Sequence, residues 1–281
     1  MREIAKRIVV RLGLESATRS LLHVSRKPRL QAQSSPSSPA VSCQQARAPQ
    51  QTQPFEMSAA ERRARDHDAL DTGHLRRLIA FTLKPWSNCI DVGAHRGSCL
   101  REILRIAPEG HHLAFEPIPE LAAQLHQAFP SVDVHEAALS DAEGDTSFVF
   151  VPDLPGYSGL RERDYPRRVK TVPMTVRMER LDQRLPGLDR IDFIKIDVEG
   201  AEALVLKGAM RTIKRDLPLI VFEHGQGASE RYGYGPRDIY ELLSGDAGLR
   251  IFDLDGNGPY SCREFEEEFA SGRRWNYVAR V

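Results

Sequence analysis

Asn88-Cys-Ile-Asp-Val-Gly-Ala-His-Arg-Gly97 is the stretch whose reading decides the fold. A short apolar run through Cys89 and Ile90 ends in an acidic residue, Asp91, and passes directly into a turn bounded by Gly93 and Gly97. This reads as a buried strand that delivers a ligand loop. The carboxylate stands at the strand tip, and the glycines remove side chains where the backbone turns sharply and approaches a bound molecule. The spacing is Gly-x-x-x-Gly, not the Gly-x-Gly-x-x-Gly that brings helix-terminal amides against a pyrophosphate, so a nucleoside-like ligand is favoured over a dinucleotide. By itself the loop also has a purely structural reading, as a tight turn.

Outward from this loop, strand-like and helix-like segments alternate, the pattern of a mostly parallel sheet covered by helices on both faces. Strands are expected near Cys89 to Val92, His112 to Phe115, Val132 to Glu136, Phe193 to Ile196, Leu219 to Phe222, Arg250 to Phe252 and Trp275 to Val281. Cys99 to Ile106, Glu120 to Phe129, Ala201 to Lys214 and Arg237 to Leu243 read as helices. Two β-rich pieces, Thr146 to Val151 and Lys170 to Val176, flank a turn-rich segment and are expected to form an insertion. In such sheets ligands gather beyond the carboxyl ends of the strands, where the strand order reverses. The strand-end residues to inspect are therefore Asp91, Glu116, the Ala137 to Asp141 segment, Asp197 with Glu199 and Glu202, and Glu223 with His224.

The 281 residues, 41% hydrophobic, suffice for one substantial core, and no apolar run approaches the roughly 20 residues that cross a membrane. The net charge of zero conceals an asymmetry: residues 1–30 hold Arg2, Lys6, Arg7, Arg11, Arg19, Arg26, Lys27 and Arg29 against Glu3 and Glu15. Ile4, Ile8 and Leu12 recur there at helical spacing, so the segment reads as a basic amphipathic helix, a candidate for peripheral contact with a membrane, for an organelle address or for a loose extension. Residues 31–55 are dominated by Gln, Ser, Pro and Ala and read as a disordered linker. The folded domain is expected over 56–281, opening with a helix that Ser58 can cap and whose apolar positions Leu75, Leu78, Ile79 and Leu83 end before Pro85. Cys43, Cys89, Cys99 and Cys262 form no paired spacing, so neither a disulfide framework nor a zinc knuckle is suggested, and a reducing, cytoplasmic setting is expected. Aromatic content of 7%, not interleaved with basic residues, gives no nucleic-acid platform.

Glu116 follows the glycine loop by roughly 20 residues, where an acidic group can accept from both hydroxyls of a ribose; a helix-capping role is the alternative. The set Asp91-Val-Gly-Ala-His-Arg-Gly97, Phe115-Glu-Pro117, Ala138-Leu-Ser-Asp141, Ile194-Lys-Ile-Asp-Val-Glu-Gly-Ala-Glu202, Leu206-Lys-Gly-Ala209 and Phe222-Glu223 resembles the FkbM-type S-adenosylmethionine-dependent methyltransferases. The resemblance covers roughly Ile90 to Glu223. It implies a Rossmann-like class I methyltransferase fold, with a seven-stranded sheet whose final strand is antiparallel, and methylation of a hydroxyl on a sugar, glycan or small natural product. Asp91, Gly93, Ala94 and Gly97 would then line the methionine and ribose end, Glu116 would hold the ribose, and Ala138 and Leu139 would border the adenine. Asp141 would accept from the adenine amino group, with a turn cap as its other reading. One departure is His95, where the family usually has Asn.

Asp197, Glu199 and Glu202 are the candidate catalytic carboxylates, Asp197 also sitting near the cofactor's sulfonium; Glu202 has a second reading as support for a helix start. Glu223, His224, Tyr157 and Ser158 are expected to face the acceptor, with His224 a candidate base. Asp197, Glu223 and His224 also invite a metal, but their spacing specifies no geometry and no metal is expected. Two other functions stay open: a nicotinamide-dependent oxidoreductase, which shares the fold outline, and a non-catalytic cofactor-binding or interaction module.

Overall fold

The computed structural model describes the backbone of residues 59–185 and 190–281, with side chains described from residue 69 onward. The expectations for residues 1–30 and 31–55, and for Ser58 as a cap, lie outside the described residues.

The chain enters through α1 (Ala59–Thr82) and then alternates β1 (Cys89–Val92), α2 (Ser98–Ile106), β2 (His112–Phe115), α3 (Pro119–Ala128) and β3 (Asp133–His135). A side unit follows, made of β4 (Ala138–Leu139), β5 (Gly144–Phe150) and β6 (Val172–Glu179), and leads into the short α4 (Leu181–Arg184). The second half contains β7 (Phe193–Ile196), α5 (Glu202–Gly208), α6 (Met210–Asp216), β8 (Leu219–Glu223), α7 (Pro236–Tyr240), β9 (Arg250–Asp253), α8 (Cys262–Ser271) and β10 (Asn276–Arg280). The main sheet runs β3-β2-β1-β7-β8-β10-β9, parallel except for β10, which is antiparallel to both β8 and β9. The strand order reverses between β1 and β7, which pair directly. A seven-stranded sheet with helices on both faces and an antiparallel final strand is the architecture that the family resemblance implies.

Strand alternation sorts the core into two layers. Cys89, Phe193, Val221 and Val278 face α1 and α2, where they meet Ile79, Leu83, Cys99 and Ile103. Ile90, Ile194, Ile220 and Tyr277 face the other way, onto Leu206, Ile213, Ile239 and Phe265 of the helices from the second half. Being buried on both faces, β1 and β7 read as near-continuous apolar runs. For the same reason the two polar residues that interrupt them, Asp91 and Lys195, are conspicuous, and they are register partners.

Three features differ from expectation. The single helix expected over Ala201 to Lys214 is two, α5 and α6, broken at Ala209. A Cβ on Gly208 would lie 2.0 Å from the Ser140 carbonyl oxygen, so the break follows a point where helix backbone presses on the segment after β4. The helix expected over Arg237 to Leu243 is α7 running on into a π-turn at Glu241–Asp246. Helix α8 went unanticipated, although Ser261 and Glu264 form a capping box at its start, with the Ser261 side chain accepting from the Glu264 N–H. The β-rich pieces form an antiparallel hairpin, β5 with β6, and β4 adds in parallel.

Two glycine substitutions test this packing in opposite directions. Gly208→Ala should destabilise the fold by about 1–3 kcal/mol, because backbone must shift to admit the methyl. Gly73→Ala, in α1 with nothing within 4 Å of the added carbon, should stabilise it by about 1 kcal/mol. Thermal unfolding of the two variants against the parent measures both, and a Gly208→Ala protein as stable as the parent would contradict the close approach.

Candidate active site

At the reversal point the backbones following β1 and β7 touch. Gly93 has φ 75°, and a Cβ there would lie 1.8 Å from the Asp197 carbonyl oxygen, so no other residue fits. The Asp197 N–H donates to the Val92 carbonyl at 3.0 Å, while the Gly93 and Ala94 N–H groups donate to Phe115 at 2.9 and 3.1 Å. These bonds stitch the ends of β2, β1 and β7 together. His95, with φ 49°, occupies the left-handed region that Asn and His tolerate better than most side chains, so the loop keeps its backbone despite the departure from Asn.

Glu116 is held from two sides. Its Oε2 accepts from the His95 N–H at 2.8 Å and its Oε1 from the Ile118 N–H at 3.0 Å. Burial raises its pKa to about 6 against the pull of these two bonds; Asp91 adds to the rise and Lys195 opposes it. Each oxygen keeps a lone pair for a further donor.

Lys195 sits between two carboxylates, with Nζ 2.9 Å from Asp197 Oδ2 and 3.9 Å from Asp91 Oδ1. Burial disfavours its charge, but Asp197 and Asp91 more than offset this and hold the ammonium firmly protonated. Burial also opposes ionisation of Asp197, yet Lys195, a hydrogen bond shared with Glu223 and the more distant Arg163 together keep it anionic. Glu223 is driven the other way, its pKa pushed well up by burial and by the adjacent Asp197 charge. The two carboxyls therefore share one proton, residing on Glu223.

A cleft of about 670 Å³ opens beyond these strand ends. It brings together Gly93, Ala94, Glu116, Ala138, Leu139, Tyr157, Ser158, Asp197, Glu199 and Glu223. Several of its walls carried no motif. Helix α1 contributes Asp71, Thr72, Leu75 and Arg76, held in place by Asn276 donating to Asp71 at 2.9 Å and by Arg76 paired with Glu102 at 3.1 Å. Trp275, just before β10, and Asn276, its first residue, contribute another wall. The segment between β5 and β6 arches over the opening: Ser158 Oγ accepts from the Val151 N–H at 3.0 Å, and the Asp164 N–H donates to the Gly227 carbonyl at 2.9 Å. Arg163 on this arch pairs with Glu199, its guanidinium carbon 4.9 Å from the centre of the Tyr157 ring.

Five expected site residues lie elsewhere. Asp91 is fully buried beside Lys195 and does not line the cleft, its pKa raised to about 6 by burial. Gly97 begins α2 with φ 71°, and a Cβ there would strike the Phe129 ring at 2.2 Å; it serves packing. Asp141 is exposed on the turn before β5, away from the cleft. Glu202 is 1% exposed, and its Oε1 accepts from the Gly200 N–H at 3.0 Å and the Val198 N–H at 3.3 Å, so its work is to shape the loop that carries Asp197 and Glu199. His224 is buried against Phe265 and Phe269, with ring centroids 6.0 and 4.8 Å away, and burial lowers its pKa to about 4. It is a neutral core residue, neither a base nor a metal ligand beside Asp197. The oxygens of Asp197, Glu199 and Glu223 do lie within 4.8 Å of one another, so a cation-sized carboxylate cluster exists, with Lys195 and Arg163 already paired to two of its members.

The Asp253-Leu-Asp-Gly-Asn-Gly258 turn, with Glu264, has the spacing of a calcium loop. Its carboxylates are committed: Asp253 accepts from the Asn257 N–H at 2.8 Å, Asp255 pairs with His74 and Arg274, and Glu264 caps α8.

Among proteins of known character, the chain is 29% identical over 245 residues to the AMB antimetabolite synthetase AmbE of Pseudomonas aeruginosa, a match covering 71% of this chain and 12% of that much longer protein. It is 28% identical over 199 residues to the 2-O-methyltransferase NoeI of Sinorhizobium fredii, covering 64% of this chain and 75% of the relative. It is 31% identical over 152 residues to the methyltransferase sdnD of Sordaria araneosa, covering 42% and 59%. The methyltransferase FkbM domain model matches residues 91–251, more than half of the chain and the whole span from the first glycine loop to the sixth strand of the main sheet. With this match laid over a sheet whose strand ends converge on one cleft, the chain belongs to the FkbM methyltransferase family.

Proposed function

We propose that this enzyme transfers the methyl group of S-adenosylmethionine to a hydroxyl of a sugar, glycan or small natural product. The observation that carries this reading is Glu116: a carboxylate fixed by two backbone N–H groups, facing a cleft that also holds the Gly93–Ala94 turn and Asp197. Two fixed oxygens with free lone pairs suit the two hydroxyls of a ribose. Ala138, Leu139, Ile118 and Phe148 supply an apolar side for a base, and the Asp197–Glu223 pair stands at the reversal point, where a sulfonium would find a negative charge. The relative NoeI is a 2-O-methyltransferase by name, which favours oxygen as the atom methylated.

Bound S-adenosylmethionine would supply an electrophilic methyl carbon; an acceptor R–OH would become R–OCH₃, releasing S-adenosylhomocysteine and a proton. The chain's own residues then have two tasks. One is alignment of acceptor and donor, which recovers on the order of 7–11 kcal/mol of barrier when the geometry is right. The other is reception of the hydroxyl proton. The Asp197–Glu223 pair, carrying one proton and one negative charge, has one site left for it, and general-base help of this kind is worth about 10²–10⁴-fold. Glu202 and His224, buried in other work, have no part in either task.

Calorimetry with S-adenosylmethionine tests the cofactor. Glu116→Ala should weaken binding at least about tenfold, the scale of losing charge-assisted hydrogen bonds. The parent's affinity should rise as pH increases through about 6, where Glu116 loses its proton, and then level off. Glu116→Gln should remove that rise. A parent that binds NADH and ignores S-adenosylmethionine would overturn the reading in favour of a nicotinamide-dependent oxidoreductase.

Two further variants separate chemistry from scaffolding. With any accepted hydroxyl substrate and isotopically labelled cofactor, Glu223→Gln should lower kcat by about 10²-fold while cofactor affinity stays within about threefold. Glu202→Gln should leave kcat within about threefold and act on stability instead. Burial raises the Glu202 pKa from 4.5 to about 7, so its contribution to stability is fully present below the unfolded value and is lost as pH climbs from 4.5 through 7. Thermal midpoints across that window should fall with rising pH in the parent and fall less in Glu202→Gln. Equal slopes would contradict the burial of its carboxyl.

A further inference from the structure

At the edge of the sheet opposite the cleft, large apolar side chains and cations gather without serving the site. Phe81, in the last turn of α1, is 86% exposed, and Trp86, three residues before β1, is 66% exposed. Leu217, two residues before β8, is 38% exposed. Trp86 and Leu217 lead into the amino ends of the parallel strands β1 and β8, and Phe81 closes the helix that precedes β1, whereas the cleft lies beyond the carboxyl ends of these strands.

Cations share this edge. Lys84 precedes Trp86; Lys214 and Arg215 fill the last turn of α6 just before Leu217, but they are paired with Asp246 and Asp216, so the unpaired charge of the edge comes from elsewhere. Arg250 opens β9 and Arg280 ends β10, both exposed, and the antiparallel register sets them directly opposite one another. Their guanidinium carbons lie 5.9 and 5.3 Å from the centre of the same ring, Phe252, so the two like charges are presented together. Like charges directly across a strand pair repel, and an external anion relieves that repulsion. Strands β1, β7, β8 and β10 are consecutive in the sheet at about 4.8 Å spacing, so the strand ends that Trp86, Leu217 and Arg280 flank span about 15 Å.

We propose that this edge docks on an anionic phospholipid surface, with Phe81, Trp86 and Leu217 entering the headgroup region and Lys84, Arg250 and Arg280 meeting the anionic headgroups. Exposed aromatic side chains beside Lys and Arg are the composition that settles at a membrane–water interface. A second copy of the chain is disfavoured as the occupant, because a two-fold pairing of this edge would bring two copies of one positively charged surface together. One weak attachment to a bilayer is readily reversed, and stable residence takes two. The same chain carries a second basic element, eight cations against two carboxylates in residues 1–30. Docked by its lower edge, the domain would hold its cleft away from the bilayer, open to solvent.

The test is flotation of the full-length protein with vesicles of phosphatidylcholine alone and of equal parts phosphatidylcholine and phosphatidylserine. Binding is expected only to the second. The double substitutions Phe81→Ser with Trp86→Ser, and Arg250→Ser with Arg280→Ser, should each lower vesicle binding about tenfold or more while leaving the thermal midpoint unchanged, since all four side chains are exposed. Binding that both double variants retain in full would assign it to residues 1–30 and overturn the proposal. So would absence of binding to either vesicle, or a concentration-dependent dimer in sedimentation velocity that Phe81→Ser with Trp86→Ser dissolves.

Discussion

The site depends on one close approach: the Gly93 Cα against the Asp197 carbonyl, a contact in which there is no room for a side chain. Where a parallel sheet reverses its strand order, the loops leaving the two central strands diverge, and the crevice between them is what a ligand enters. Here the divergence starts from backbone in contact. Gly93, Ala94 and His95 therefore leave β1 in a defined direction, and Asp197, Val198 and Glu199 leave β7 in another. Every functional placement inherits this. The His95 N–H fixes Glu116, and the Glu202 carboxyl gathers the N–H groups of Val198 and Gly200 so that Asp197 and Glu199 stay on the cleft side.

Electrostatics at that contact are arranged around a buried cation. Lys195 would be costly alone inside the sheet, and so would Asp91, which is completely buried. Together with Asp197 they form a set carrying a single net negative charge, and Glu223 adds a neutral carboxyl to it. The result is an anionic point at the rim of the cleft centred on Asp197, because Lys195 stays protonated, Glu223 holds the shared proton, and Asp91 is ionised above about pH 6. A sulfonium needs an anion beside it and an acceptor hydroxyl needs somewhere to leave its proton; one arrangement of four side chains can meet both needs.

The sheet is legible from sequence because strands buried on both faces are short apolar runs, and those of β2, β7 and β8 lead into Glu116, Asp197 and Glu223. Expected strands such as Cys89 to Val92 and Phe193 to Ile196 coincide with β1 and β7. What strand-end reasoning could not supply was direction. Glu223 and His224 are adjacent, and in extended backbone adjacent side chains point oppositely; Glu223 reaches the cleft while His224 enters the Phe265–Phe269 layer. Asp91 turns toward Lys195 for the same reason. For Glu202 the sequence leaves a catalytic role and support of a helix start both open; its position at the start of α5 makes it a partner for the loop's own N–H groups. The walls from α1 and from Trp275–Asn276 carried no local signal at all, since they reach the cleft only through long-range packing.

The central claim, that this crevice seats an adenosyl cofactor with its ribose on Glu116 and its sulfur facing the Asp197–Glu223 pair, is tested most directly by the crystal structure of the protein bound to S-adenosylhomocysteine. The account predicts both ribose hydroxyls within about 2.6–3.2 Å of the Glu116 carboxylate, and the sulfur nearer to Asp197 than to any other carboxylate. A ribose turned away from Glu116, or a cofactor lodged outside the crevice between the ends of β1 and β7, would contradict it.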